Sequence, residues 1–146
     1  MRAVTVSAYG AAPAVIDLPD PEPGPGQLLT KVSAAGVNPM DRSIAGGQWQ
    51  AMMPATFPLI LGADVAGLVH AAGQGTKRFS PGDEVLGQLL IPPLGSAGTY
   101  AEYVSVSQDA ALIKIPDSLD AVTAAALPTP GGAALDLPKI KTVVVP

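Results

Sequence analysis

The chain has 146 residues, enough for one domain with its own core, and its 16 glycines and 16 prolines are too many for a helical bundle. A net charge of −4 without any Lys/Arg cluster argues against a phosphate-tracking surface, so no nucleic-acid partner is expected. The absence of cysteine excludes disulfides and thiolate metal ligands, and no apolar run reaches the ~18 residues of a membrane span.

With 48% hydrophobic but only 4% aromatic residues, the core must be built from Val, Ala, Leu and Ile. Turn residues recur at short intervals, which points to strands in a sandwich or barrel. The start, Met1-Arg2-Ala3-Val4-Thr5-Val6, does not read as a signal peptide, so a cytoplasmic domain is expected.

Residues 2–9 read as a strand, and 14–18 as a second that could pair with it. The proline-rich stretch 19–26 can only be a surface loop. Residues 27–37 predict a long strand and 40–45 a short helix, with Asn38 as a cap and Pro39 at its first position. Gly46 and Gly47 end that helix before an irregular loop over 48–58 that carries the only tryptophan, Trp49. The apolar run 59–72 contains Gly62 and Gly67, as at a barrel corner. A tight turn at Ser80-Pro81-Gly82-Asp83 leads to strands at 84–90, 99–107 and 112–115, with a turn-rich break over 92–98. Asp117 or Ser118 should cap a helix over 119–127, interrupted by Pro128-Thr129-Pro130-Gly131-Gly132 and restarting over 133–137. Residues 142–145 are a strand candidate.

Several motifs then align. Ala35-Gly36-Val37-Asn38-Pro39-Met40-Asp41 resembles the G-V-N-P-x-D signature of quinone oxidoreductases related to zeta-crystallin, and residues 58–67 resemble their P-x-x-x-G-x-D-x-x-G segment. Phe79 to Val85 is similar to F-x-x-G-D-x-V, Gly98-Thr99-Tyr100-Ala101-Glu102-Tyr103 to G-x-Y-A-E-Y, and Ala124-Ala125-Ala126-Leu127-Pro128 to the helix leading toward the cofactor domain. In this order over residues 1–135, they identify the chain as similar to the substrate-side domain of zinc-free quinone oxidoreductases in the medium-chain dehydrogenase/reductase superfamily. The resemblance implies a mainly β, GroES-like barrel beside a Rossmann domain, NADPH in the cleft between them, and a small quinone or enone as substrate.

Zinc-dependent members of the superfamily place a cysteine where Asn38 stands and a His-Glu pair where Ala63 and Asp64 stand, so no zinc is expected here. His70, the lone histidine, lacks a partner ligand or nucleophile and is expected to face solvent or to be satisfied structurally. The resemblance makes Asn38 the first candidate for catalysis and cofactor contact, its other reading being the helix cap. Asp41 would help position the ribose or bond locally, and Trp49 would stack on a flat substrate or anchor the core. Ser43 stands where relatives have a substrate-lining tyrosine. Thr129 and Gly131 fall where relatives contact the cofactor, their alternative being a simple turn between helices.

Dinucleotide binding needs a strand, a glycine-rich turn and a helix, and no stretch of the chain has that pattern. The expected organisation is therefore a GroES-like domain over 1–137, with 138–146 as the strand that completes the barrel and the Rossmann domain left out between them. The other reading of 138–146 is the first strand of a Rossmann domain. Two functions stand: an oxidoreductase domain inactive without a cofactor-binding partner, and a non-catalytic GroES-like folding or association module. The family dimerises largely through the Rossmann sheet edge, so that interface should be lost, with self-association open through a wall around Trp49 and Leu127.

Overall fold

The computed structural model describes residues 1–90, 94, 95 and 97–136. In chain order the elements are β1 (Arg2–Val6), β2 (Ala14–Asp17), β3 (Gln27–Gly36), α1 (Pro39–Ala45), β4 (Leu59–Ile60), β5 (Asp64–Ala72), β6 (Glu84–Gln88), β7 (Tyr103–Ser107), β8 (Ala111–Lys114), α2 (Ala121–Ala125) and α3 (Pro128–Asp136). The fold is mainly β, as the composition and the resemblance both implied. One sheet has the order β2-β1-β4 and the other β7-β3-β5-β6-β8, every pairing being antiparallel.

Two backbone devices join the sheets. At Gly62, with φ +92°, the chain leaves β4 in the small sheet and enters β5 in the large one. A Cβ there would lie 2.4 Å from Thr99 Oγ1 and 2.4 Å from the Tyr100 ring, so only glycine fits. The segment before β7 makes the same passage. The N–H of Val4 donates to the carbonyl of Tyr100 (2.8 Å) and that of Glu102 to Arg2 (3.1 Å), while Val32 donates to Glu102 (2.9 Å). This strand approach therefore bonds to β1 on one side and to β3 on the other, and the sheet curls.

Curling encloses two aliphatic clusters. Leu28, Val65, Val69, Val85, Val104, Val106 and Leu112 fill the concave face of the large sheet. Val6, Ile44, Leu59, Leu61 and Leu94 lie between the small sheet and α1. On the opposite face of the large sheet, Ala66 and Leu86 receive Ala124 and Ala125 of α2. Gly36 permits that close seat, since a Cβ on it would come within 2.5 Å of the Ala125 carbonyl oxygen.

The structure departs from the sequence expectations at three places. The apolar run 59–72 is two strands in different sheets, divided by Gly62. The second helix is capped by Asp120, whose carboxylate accepts from Thr123 N–H, and not by Asp117 or Ser118. Residues 128–132 are no interruption or simple turn: Pro128 opens α3, and the N–H of Gly131 donates to the Leu127 carbonyl (2.7 Å). Both prolines lie in the first turn, where no intrahelical N–H is needed. The strand expected over 138–146, in either of its readings, lies outside the described residues.

Gly62 and Gly82 (φ +96°) share a left-handed backbone, but nothing lies within 4 Å of a Cβ at Gly82. Urea unfolding should therefore give a loss of about 1–2 kcal/mol for Gly82→Ala. Gly62→Ala adds overpacking against Thr99 and Tyr100, and should lose about 3 kcal/mol or more. Equal losses would contradict the sheet-switching role of Gly62.

Candidate functional site

A cleft of about 690 Å³ opens beside α1, lined among others by Asn38, Asp41, Arg42, Ser43, Leu61 and Tyr100. The local sequence explains why α1 starts there. Asn38 has an extended backbone (φ −124°, ψ 152°) and Pro39 is already shaped for the first helical position. Asp41, in the first turn, accepts from the Asn38 N–H (2.8 Å), and its negative charge suits the helix N-terminus. The Asn38 side chain does something else. Its Nδ2 donates to Asp64 Oδ2 (3.0 Å), at the first residue of β5.

Asp64 has three donors around it. Besides Asn38, the Thr129 N–H donates to Oδ2 (3.0 Å) and the Thr129 hydroxyl to Oδ1 (2.7 Å). A carboxylate only accepts, so the Thr129 proton must point at Asp64, which leaves its oxygen free to accept from Gln88 Nε2 (2.6 Å). On the other side, the Tyr100 hydroxyl donates to Asp41 Oδ2 (2.8 Å) and lies 3.2 Å from the Gly36 carbonyl oxygen. A continuous polar chain thus runs Tyr100–Asp41–Asn38–Asp64–Thr129–Gln88.

Asp41, Asp64 and Asn38 are 6%, 1% and 9% exposed. Among the described residues no Lys, Arg or His forms an ion pair with either carboxylate. Neutral donors alone hold the two acids in place. Burial of the Tyr100 phenol, followed by its hydrogen bond to Asp41 and the charges of Asp41 and Asp64, pushes its pKa well above the ordinary tyrosine value. Tyr100 therefore keeps its proton at neutral pH and serves as a donor.

The structure brings Asn38, Asp41 and Ser43 together at the cleft, and ties Thr129 to Asn38 through Asp64. It does not bring Trp49 there. That indole is half-buried against the cluster of Val6, Ile44 and Leu59, and does not line the cleft. Gly131 lies in α3, away from the cleft lining. Leu127, the other part of the expected association wall, is 43% exposed. His70 is exposed, with its ring 5.6 Å from that of Tyr103. Sequence reasoning missed Tyr100 and Gln88, and saw Asp64 only as the occupant of a zinc-ligand position. A tyrosine inside a motif next to small residues was the one available signal for Tyr100.

Residues 24–117 match the family model of the alcohol dehydrogenase GroES-like domain. The chain is 35% identical to the quinone oxidoreductase QR1, chloroplastic, of Triphysaria versicolor over 90% of its own length and 40% of that protein. It is 36% identical to the quinone oxidoreductase of Homo sapiens, over 89% of this chain and 38% of that protein. The chain thus spans about 40% of the length of the curated relatives it matches. Among solved structures, a quinone oxidoreductase from Pseudomonas syringae superposes with a TM-score of 0.82 at 30% identity, over 99% of this chain and 42% of that one. A mycobacterial protein complexed with NADPH superposes at 0.77 and 31% identity, over 98% and 42%. Matched over most of its length by the family model, and by quinone oxidoreductases in both sequence and structure, the chain belongs to the alcohol dehydrogenase GroES-like domain family of the medium-chain dehydrogenase/reductase superfamily.

Proposed function

We propose that this chain is the substrate-side half of a cytoplasmic, zinc-independent, NADPH-dependent reductase of quinones or activated alkenes, inactive until a second domain supplies the coenzyme. The observation that carries the reading is the cleft at α1, whose floor is a network of buried, mutually fixed donors and acceptors. The relatives named above as quinone oxidoreductases, and the neighbour solved with NADPH, support it.

The residues fit one end of the coenzyme. Asn38 and Asp41 line the cleft, so an amide and an acid are available to a ring carboxamide or ribose, while Thr129, outside the cleft lining, is linked to Asn38 by a single carboxylate. Bound NADPH would supply the hydride. The chain's own work is then orientation and exclusion of water: apolar Val37 and Leu61 wall the cleft, and pre-set polar groups need no reorganisation. Reducing a quinone also consumes one proton. Tyr100 is unsuited to give it, being held protonated against Asp41. We assign proton delivery to solvent entering beside Ser43. Zinc has no place in this reading, because Asn38 offers only a weakly binding amide oxygen and the side chain of Ala63 has no donor atom.

Titrating the chain with NADPH, followed by nicotinamide fluorescence, should show no binding at micromolar concentration. Micromolar affinity would overturn the half-site reading. Fusing a nicotinamide-coenzyme-binding domain and assaying a quinone panel should restore turnover, and Asn38→Ala should then lower it about 10- to 100-fold. A fused protein with no activity on any quinone or enone would favour the non-catalytic module.

A second expectation concerns Tyr100. Its phenol pKa is raised in the fold relative to the unfolded value near 10.0, so its contribution is full below that pH and is lost as pH rises above it. By ultraviolet difference absorbance one tyrosine component should ionise above the ordinary tyrosine range, and that component should vanish in Tyr100→Phe. The same substitution leaves Asp41 one donor short and should cost about 1 kcal/mol at neutral pH.

A further inference from the structure

The helix α3 has nine residues and no local cap, because the residue ahead of Pro128 is Leu127, which has no polar side chain. Its first free N–H, that of Thr129, is satisfied by Asp64, 65 residues earlier in the chain. The platform that does this is one rung of the large sheet. Gly36 pairs with Asp64 across β3 and β5, and Asp64 pairs with Gln88 across β5 and β6. Gly36 has no side chain, and a Cβ there would crowd Asp64 Oδ2 at 3.3 Å. Asp64 and Gln88 can therefore present an acceptor and a donor to the same Thr129 hydroxyl.

The same carboxylate decides the orientation of Asn38. An amide can lie two ways round, but only its nitrogen can donate to Asp64, so the oxygen cannot occupy that place. Asn38 lines the cleft and Asp64 does not. Asn38 and Thr129 share no hydrogen bond with each other among those of the described residues, yet both end on Asp64.

We propose that Asp64 is the positioning residue of this half-site: its carboxylate fixes the amide of Asn38 and the first turn of α3 together, setting a donor–acceptor pattern for a ligand that Asp64 never touches. The proposal rests on the cleft being the nicotinamide-side half-site. Asp64, at the position of a zinc-site acid in metal-dependent relatives, here couples the barrel's helix α1 to α3 across β5.

The test uses the 146-residue chain. Asp64→Asn keeps the shape but offers one acceptor where three donors converge. Exchange of the Thr129 amide, followed by NMR, should quicken by about tenfold or more, beyond the change at amides of β3. Asn38→Ala and Thr129→Val should be non-additive in unfolding free energy while Asp64 is present, and should lose that coupling in an Asp64→Ala background. Nicotinamide mononucleotide, titrated by chemical shift, should bind at millimolar concentration and weaken about tenfold in Asp64→Asn. Gly82→Ala, a destabilised control remote from the cleft, should leave that affinity unchanged. Additive effects of Asn38 and Thr129, or nucleotide affinity in Asp64→Asn equal to that of Gly82→Ala, would overturn the proposal. If the unaltered chain shows no nucleotide shifts but keeps the coupling, the half-site reading falls and the positioning role stands. If it binds the nucleotide without the coupling, the positioning role falls and the half-site reading stands.

Discussion

Two buried carboxylates, with no ion pair to a cation among the described residues, govern this structure. Asp41 and Asp64 are almost fully removed from water, and each is held by neutral donors: Tyr100 and the Asn38 backbone for one, Asn38 Nδ2 and Thr129 for the other. Leaving any one such donor or acceptor unpaired costs about 1–3 kcal/mol, more when the group is charged. The elements that carry the partners, α1, β5, α3 and the approach to β7, are therefore constrained to meet at one place. The cleft lies where they meet.

The aliphatic clusters supply the bulk of the stabilisation but little of this specificity. Val and Leu on the inner face of the large sheet would tolerate small displacements of one strand against the next, since apolar contact has no direction. The hydrogen bonds do not tolerate them. Moving β5 by one residue would turn Asp64 away from Thr129 and bring a neighbour of opposite facing to the rung. Gly62 and Gly36 serve the same end, one allowing the chain to change sheets and the other clearing space above Asp64. The network thus ties fold and site together, and a network with every member satisfied is stiff. Stiffness is what an orienting half-site needs.

The chain carries a cleft wall, and its relatives are more than twice its length. A cleft whose chemistry belongs to a coenzyme needs from this side only orientation, dryness and shape. The division proposed above would account for the sparse reactive chemistry here: no cysteine, a single histidine that faces solvent, and a tyrosine held as a donor.

Local pattern was enough to read most strands, the helix at Pro39 and the loop at 19–26, because alternation, β-branching and proline act on the chain within a few residues. The family motifs likewise brought Asn38, Asp41 and Ser43 to the cleft. Three things were beyond local reading. The start of α3 looked like a break because its cap, Asp64, is 65 residues away. For Trp49 the sequence left open a substrate plate or a core anchor, and only the fold shows its indole half-buried against Val6 and Leu59, outside the lining of the cleft. Tyr100 and Gln88 gained their roles only when β1, β3, β5 and β6 came into register. Sequence by itself determined which segments extend or coil and that no thiolate could bind metal here; the tertiary structure decided which polar groups share a buried acid, because a desolvated carboxylate accepts whatever donors the folded chain delivers, regardless of their distance along it.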